Sequence, residues 1–331
     1  MNEKDSCVAE QPEEIMKRYI TIDGGTTNTR IRLIENGAAV EDIKLKAGAG
    51  NRNSSLLAKV VKSGIDDIMK KSKLTETDIT AILAAGMITS EFGIYCVPHI
   101  FVPAGVTELN NGIKSVVIND ITNIPINFIP GVKKQGATLE QNDMMRGEEC
   151  EFFGISKLLN AENGSLVVLP GSHTKMVVSD TDGRISDFST SLSGEMIAAI
   201  SGGTILSDAI NLNIDGYDKE FLKKGFEYCI KNGLNEALFK VRTLKNLLGA
   251  DEKSCYSFFI GAILCADVKK ISVCPEKNVY VGGKKQIKDA FFELLTEFTD
   301  KTVVSVSESD VDMSVSLGMI SIYEEINRRC R

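Results

Sequence analysis

The chain has 331 residues, of which 43% are hydrophobic and 25% charged, with 28 Gly, 7 Pro and a net charge of −7. That length predicts two domains of about 150 residues each. The acidic balance argues against nucleic acid as a partner, because phosphate neutralisation needs a surplus of Lys and Arg. No apolar run approaches the roughly 20 residues that a membrane helix needs.

The polar start, Met1 to Gln11, is neither a signal peptide nor a transit sequence, and residues 1–17 are expected to form a disordered tail. Three strands should follow between Tyr19 and Lys46, the last from Val40, with Asn36-Gly37 as the second turn. Apolar residues Leu57, Val60, Val61, Ile65, Ile68 and Met69 recur at helical spacing and predict a helix over 54–71. A strand over 79–85, an irregular stretch over 92–103, a short helix over 106–114 and a strand over 126–129 complete an expected first domain, 18–142. The second domain, 143–331, should open with a helix from Met144 to Leu159, with Asp143 as its cap.

Three more strands are predicted over 166–169, 176–179 and 185–189. They repeat the opening meander, with Gly171 lying 146 residues beyond Gly25, about one domain length. An internal duplication is the economical reading. Helices over 194–210, 219–230, 234–247 and 254–270 precede a strand over 278–281, Gly282-Gly283, a helix over 284–297, a strand over 302–306 and a last helix that Asp312 could cap. Strands alternating with helices read as an α/β fold. The eight cysteines include no C-x-x-C pair, which points to reduced thiols in a cytoplasmic protein. Only His99 and His173 are available as histidines, so carboxylates are the default proton acceptors.

One stretch organises the chain: Tyr19-Ile20-Thr21-Ile22 reads as a buried strand that enters Asp23-Gly24-Gly25-Thr26-Thr27-Asn28. Gly24 and Gly25 lack a Cβ, so backbone there can approach a polyanion closely. Asp-Gly and Gly-Gly are also ordinary hairpin turns, and the residues alone leave that reading open.

The duplicated turns, Asp23-Gly24-Gly25-Thr26-Thr27-Asn28 and Pro170-Gly171-Ser172-His173-Thr174-Lys175, together with Val279-Tyr280-Val281-Gly282-Gly283, resemble the actin/hexokinase/Hsp70 superfamily of ATP-binding proteins. Met145-Arg146-Gly147-Glu148-Glu149 and Asp187-Phe188-Ser189-Thr190-Ser191-Leu192-Ser193-Gly194-Glu195 narrow the resemblance to the 2-dehydro-3-deoxygalactonokinase family. Gly24 and Met176 stand where relatives carry aromatic residues, which leaves the shape of the sugar pocket open. The resemblance implies two actin-like ATPase (ribonuclease H-like) domains flanking a nucleotide cleft, and transfer of the ATP γ-phosphoryl group to the 6-hydroxyl of a 2-keto-3-deoxy sugar acid.

In that scheme Gly24, Gly25, Thr26, Thr27, Gly171, Ser172, His173 and Lys175 would grip phosphates, and Gly282 and Gly283 the adenosine. Asp23 would hold Mg²⁺ with the ATP. Asp143 would accept the hydroxyl proton, with Glu148, Glu149 and Asp187 as rivals. Arg146, Glu149 and Glu195 would bind the substrate, Arg146 through the bidentate fork that suits a carboxylate. ATP and a small sugar acid are the expected partners, with no nucleic acid and no membrane; a homodimer is left open. The alternatives are a kinase for another sugar acid or a hexose, and a non-catalytic sugar sensor. The sensor is disfavoured because too few residues precede the first strand for a DNA-binding domain. An NAD-binding enzyme is disfavoured by the lack of G-x-G-x-x-G near the start.

Overall fold

Residues 16–325 are described by the computed structural model; the expected tail lies, up to residue 15, outside the described residues. β1 (Arg18–Gly24) pairs antiparallel with β2 (Thr29–Glu35), and β2 with β3 (Ala38–Leu45). α1 (Ser54–Ser72) then starts under an Asn53 cap that accepts the Leu56 amide, and returns the chain to β4 (Ala81–Gly86), parallel to β1. β5 (Ile100–Phe101), α2 (Val106–Gly112), β6 (Lys114–Ile118) and β7 (Thr122–Phe128) follow, giving a six-stranded sheet of order β3-β2-β1-β4-β7-β6. β8 (Val132–Lys134) and β9 (Asp143–Met145) join β5 in a small three-stranded sheet.

After α3 (Glu148–Leu159) the meander repeats as β10 (Leu166–Leu169), β11 (Thr174–Ser179) and β12 (Ile185–Ser191). Helices α4 (Ser193–Gly203), α5 (Lys219–Asn232), α6 (Leu234–Leu248) and α7 (Glu252–Ser272) lead to β13 (Asn278–Val281), parallel to β10, then α8 (Lys285–Phe298), β14 (Thr302–Ser305) and α9 (Glu308–Tyr323). The second sheet has the order β12-β11-β10-β13-β14. Strand for strand, it matches β3-β2-β1-β4-β7, so the duplication read from the turns extends to sheet topology.

Alternation along the strands builds layers, because successive side chains point to opposite faces. In β4, Ile82 and Ala84 pack toward α1, whereas Ala81, Leu83 and Ala85 join a middle core with Phe152 and Ile155 of α3 and Met319 and Ile322 of α9. Val167, Leu169 and Tyr280 of the second sheet belong to the same middle core, and Leu166, Val168, Val279 and Val281 face α5 to α8. α3 and α9 are therefore shared between the sheets. Thr21 and Ser316 also hydrogen-bond across that layer, with hydroxyl oxygens 2.9 Å apart.

Three elements differ from the sequence reading. The helix expected from Met144 begins at Glu148: Asp143 to Met145 are strand, and Gly147 has φ +112°, which a helix does not accept. α9 is capped by Ser307, whose side chain accepts the Asp310 amide, so Asp312 lies inside the helix and is no cap. α4 stops at Gly203, short of the expected residue 210. The short strands β5, β6, β8 and β9 had no clear alternation to reveal them.

α3 and α9 cross at bare backbone. A Cβ at Gly154 would overlap the Ser314 carbonyl oxygen, and one at Gly318 would overlap that of Cys150. Gly154→Ala and Gly318→Ala should each destabilise the protein by about 1–3 kcal/mol, since overpacking forces the helices apart. The check is a lower urea midpoint with an unchanged m-value.

Candidate active site

A cleft of about 720 Å³ lies between the ends of the two meanders. Asp23 and Gly25 line one side, Gly171, Ser172, Gly194 and Gly283 the other, and Glu151 also reaches it. A smaller cavity of about 280 Å³ beside α1 contains none of the expected site residues.

The first turn is tightly bound internally. The Gly25 amide donates to the Asn28 carbonyl at 2.9 Å, and the Gly25 and Thr26 carbonyls accept from Ala49 (3.1 Å) and Gly50 (2.8 Å). Gly24 lies in the β1 ladder, opposite Thr29 and Gly86. The Gly25 amide expected to hold phosphate is thus already paired; the hydroxyls of the exposed Thr26 and Thr27 are the groups this turn offers. Gly48 and Gly50 are required beneath it, since a Cβ at either would come within 2.5 and 2.7 Å of the Thr26 backbone.

Asp23 ends the buried run of β1, beside Gly86 (φ +84°) at the end of β4. Gly147 packs on Gly86, so the N-terminus of α3 abuts the strand end that carries Asp23. Three carboxylates crowd the first turn of that helix: Glu148, Glu149 and Glu151. The positive end of the helix dipole favours them there. Burial nevertheless pushes the Asp23 carboxyl up to about 6, with Arg30 pulling it down and Glu148 adding to the rise. Burial, then Glu148 and Asp23, push Glu151 up to about 8. Glu149 is fully buried and also raised to about 8 by burial, although both its oxygens accept the Gly147 amide at 2.8 Å. A side chain so enclosed does not reach a substrate, contrary to its expected role.

On the other wall, Gly171 and Ser172 form a turn against the start of α4. Gly194 has no room for a Cβ beside the Gly171 carbonyl, and the Glu195 amide donates to the Ser172 carbonyl at 3.0 Å. His173 Nε2 lies 2.9 Å from Glu195 Oε1, both side chains being exposed. Gly283 adopts φ +78° over Pro170, where a Cβ would lie 2.8 Å from Pro170 Cδ, and the Gly282 amide donates to the Val168 carbonyl at 2.9 Å. Strand β13 thereby delivers both glycines beside the second turn.

Three expected roles do not fit the geometry. Arg146 gives its guanidinium to the Thr89 carbonyl (2.8 Å) and hydroxyl (2.6 Å), the Val97 carbonyl (2.9 Å) and His99 Nδ1 (3.1 Å). With its fork filled by protein acceptors, it clamps the 89–99 loop to the β9–α3 connection. Since Arg only donates, His99 Nδ1 is the acceptor. Burial, aided by the Arg146 and Lys133 charges, lowers that imidazole to about 4. Lys175 is buried, and its ammonium donates to the Met144 carbonyl (2.8 Å) and the Thr190 hydroxyl (2.6 Å) rather than toward the cleft. Asp143 sits in a strand, where its oxygens accept the Met144 amide at 2.7 Å and the Thr190 amide and hydroxyl at 2.8 Å. The helix-start argument that selected it applies instead to Glu148.

The sequence reading missed four cleft residues. Arg30 and Arg32 project from β2, and both pair with Asp312 of α9 and Asp42 of β3. Their i, i+2 spacing on a strand is the signal that places them on one face. Lys284 lines the cleft at the start of α8, and Glu151 faces it one turn into α3. Among the described residues, no three His, Cys, Asp or Glu side chains gather to cage a metal. No helix among them is long and apolar enough to cross a membrane.

The family described as 2-keto-3-deoxy-galactonokinase matches over residues 23–321. The 2-dehydro-3-deoxygalactonokinase of Escherichia coli (strain K12) is 28% identical over 252 residues, covering 75% of this chain and 77% of that protein. A Rhizobium meliloti (strain 1021) protein assigned the same activity is 30% identical over 196 residues, 58% of this chain and 59% of that one. Among solved structures, a Sinorhizobium meliloti protein assigned that activity superimposes with a TM-score of 0.77 at 21% identity, covering 93% of this chain and 99% of the other. Component A of (R)-2-hydroxyglutaryl-CoA dehydratase from Acidaminococcus fermentans gives 0.51 at 12% identity, covering 93% and 98%. These structural matches establish a shared α/β fold.

Two outcomes follow from this geometry. Arg146→Ala should destabilise the fold by about 2–4 kcal/mol by orphaning buried acceptors, which a urea titration reads directly. Asp23, Glu149 and Glu151 have folded values above their unfolded ones, so their stabilising share is complete below about pH 4. That share is lost as pH rises through about 6 for Asp23 and about 8 for both glutamates. Unliganded protein should therefore lose stability from pH 5 to 8, and Glu151→Gln should flatten the upper part of that decline.

Proposed function

The chain belongs to the 2-keto-3-deoxy-galactonokinase family, and from that premise we propose that it transfers the γ-phosphoryl group of ATP to the 6-hydroxyl of 2-dehydro-3-deoxy-D-galactonate. The observation that carries this reading is the single cleft in which Asp23 and Gly25 face Gly171 and Ser172. Phosphoryl transfer needs alignment and charge stabilisation more than covalent chemistry, and turns on opposite walls supply both. The lobes 18–142 and 143–331 would close on the nucleotide. Thr26, Thr27 and Ser172 would hold its phosphates, and Gly282 and Gly283 would admit the adenosine to bare backbone.

Asp23 and Glu151 fit a bound Mg²⁺: both are half-buried oxygen donors on the cleft whose raised carboxyls a cation would return to the charged form. A set of fewer than three clustered donors suits an ion that takes most of its ligands from phosphate and water. When bound, the ion supplies charge neutralisation on the phosphates. Lys284, the cleft cation at the α8 N-terminus, would add to that field.

For the proton acceptor, the geometry favours Glu148. It opens α3 on the Asp23 side of the molecule, and one of its oxygens accepts the Arg146 amide at 3.0 Å. Asp143, by contrast, has three donors on its carboxylate. Glu195, exposed beside Ser172, is the remaining candidate for a substrate hydroxyl.

A coupled ADP-release assay over a panel of 2-keto-3-deoxy acids and hexoses with Mg-ATP should show the galactonate derivative as the best acceptor. ADP release with no acceptor, despite sugar binding, would point to a sensor instead. Glu148→Gln should lower kcat by about 10²–10⁴, and Asp143→Asn by much less. The reverse ranking would return the role to Asp143.

A further inference from the structure

α7 is buried along most of its length, and among its apolar residues lies a carboxylate, Asp267, that is 6% exposed. Its Oδ2 accepts the Ser191 hydroxyl at 2.9 Å. The Ser191 and Ser193 hydroxyl oxygens are 3.1 Å apart, and those of Ser193 and Thr174 are 2.7 Å apart. Ser193 and Thr174 are both buried, Thr174 completely. A charged carboxylate offers only acceptors, so it orients the chain. Ser191 donates to Asp267, Ser193 donates to the Ser191 oxygen or to the Asp267 carboxylate itself, and Thr174 donates to Ser193.

A buried carboxylate is costly, and an apolar side chain of similar size would pack in α7 without that cost. What it holds is specific. Thr174 is the first residue of β11, directly after Gly171-Ser172-His173, and Ser193 is the first residue of α4, beside Gly194 and the Glu195 amide that bonds Ser172. The hydroxyl chain thus ties the second cleft turn, at its exit and at the helix packed on it, to the interior of the helical layer.

We propose that Asp267 is a positioning residue for this turn, acting through Ser191, Ser193 and Thr174 to hold the Gly171-Ser172 backbone in its phosphate-binding arrangement. This rests on the reading of the cleft as the ATP site. Removing a link lets the turn relax, which weakens the grip on the polyphosphate while leaving the sugar side and the proton acceptor alone.

The test uses full-length protein and Mg-ATP, with Thr174→Val, Asp267→Ala and Asp267→Asn. Isothermal titration should give a Kd for ATP about tenfold higher in Thr174→Val and Asp267→Ala, matching the loss of one to two hydrogen bonds. The KM for ATP should rise in parallel, while kcat and the KM for the sugar acid stay within about twofold. Asp267→Asn keeps an acceptor for Ser191 and should recover most of the loss. An unchanged ATP Kd in Thr174→Val, the nearly isosteric variant that removes only the last hydroxyl, overturns the proposal even if Asp267→Ala fails to fold. A tenfold effect on ATP binding with no sugar acid ever phosphorylated would leave the positioning role standing and overturn the kinase reading instead.

Discussion

Two helices touch through glycine, and the cleft depends on that contact. α3 and α9 lie in the layer shared by both sheets, and each presents a glycine to the other's carbonyl one turn away: Gly154 to Ser314, and Gly318 to Cys150. With side chains there the helices would stand further apart, and so would everything packed on them. Asp23 rides on the first sheet and Gly171 on the second, so the distance between the cleft walls is set by this crossing. The same device recurs between α5 and α7, where Gly225 meets Phe258 and Gly261 meets Leu222. α7 is also the helix whose Asp267 accepts the Ser191 hydroxyl.

Charge is concentrated where the packing is closest. The α3 N-terminus, with Glu148, Glu149 and Glu151, abuts the glycine-lined end of β1 and β4 beside Asp23. Like charges in a partly dry site raise one another's carboxyls, which costs stability in the unliganded protein. A cation and a polyphosphate arriving together would offset that cost. Arg30 and Arg32 show the opposite arrangement: their charges are already balanced by Asp42 and Asp312, and they fasten β2 to α9. Of the cations that line the cleft, Lys284 has no ion pair to a carboxylate among the described residues.

Much of the fold was legible because period-2 and period-3.6 patterns are local. Tyr19 to Ile22, Leu166 to Leu169 and Asn278 to Val281 read correctly as strands, and the matching turns at Gly25 and Gly171 revealed the repeat that the sheet orders display. The reading failed where a local signal had two meanings. Asp143 followed by Met144-Met145 looks like a helix cap, but Gly147 at φ +112° delays the helix to Glu148. Asp312 looks like another cap, but Ser307 had already started α9, and Asp312 faces two arginines from β2 instead.

By itself, the sequence determined the α/β alternation, the duplicated meander, the two glycine turns and the family resemblance, because each is written in spacing or motif along the chain. Only the tertiary structure decided which groups are free to act. Arg146 looks like a carboxylate binder until Thr89, Val97 and His99 are seen to fill its fork, and Lys175 looks like a phosphate ligand until its ammonium is seen to be held by Met144 and Thr190. The link from Asp267 to Thr174 spans distant stretches of chain through side-chain hydroxyls. Hydrogen-bond partners distant in sequence leave no periodic trace, so residue type reveals what a side chain can do, and packing alone reveals whether it is already occupied.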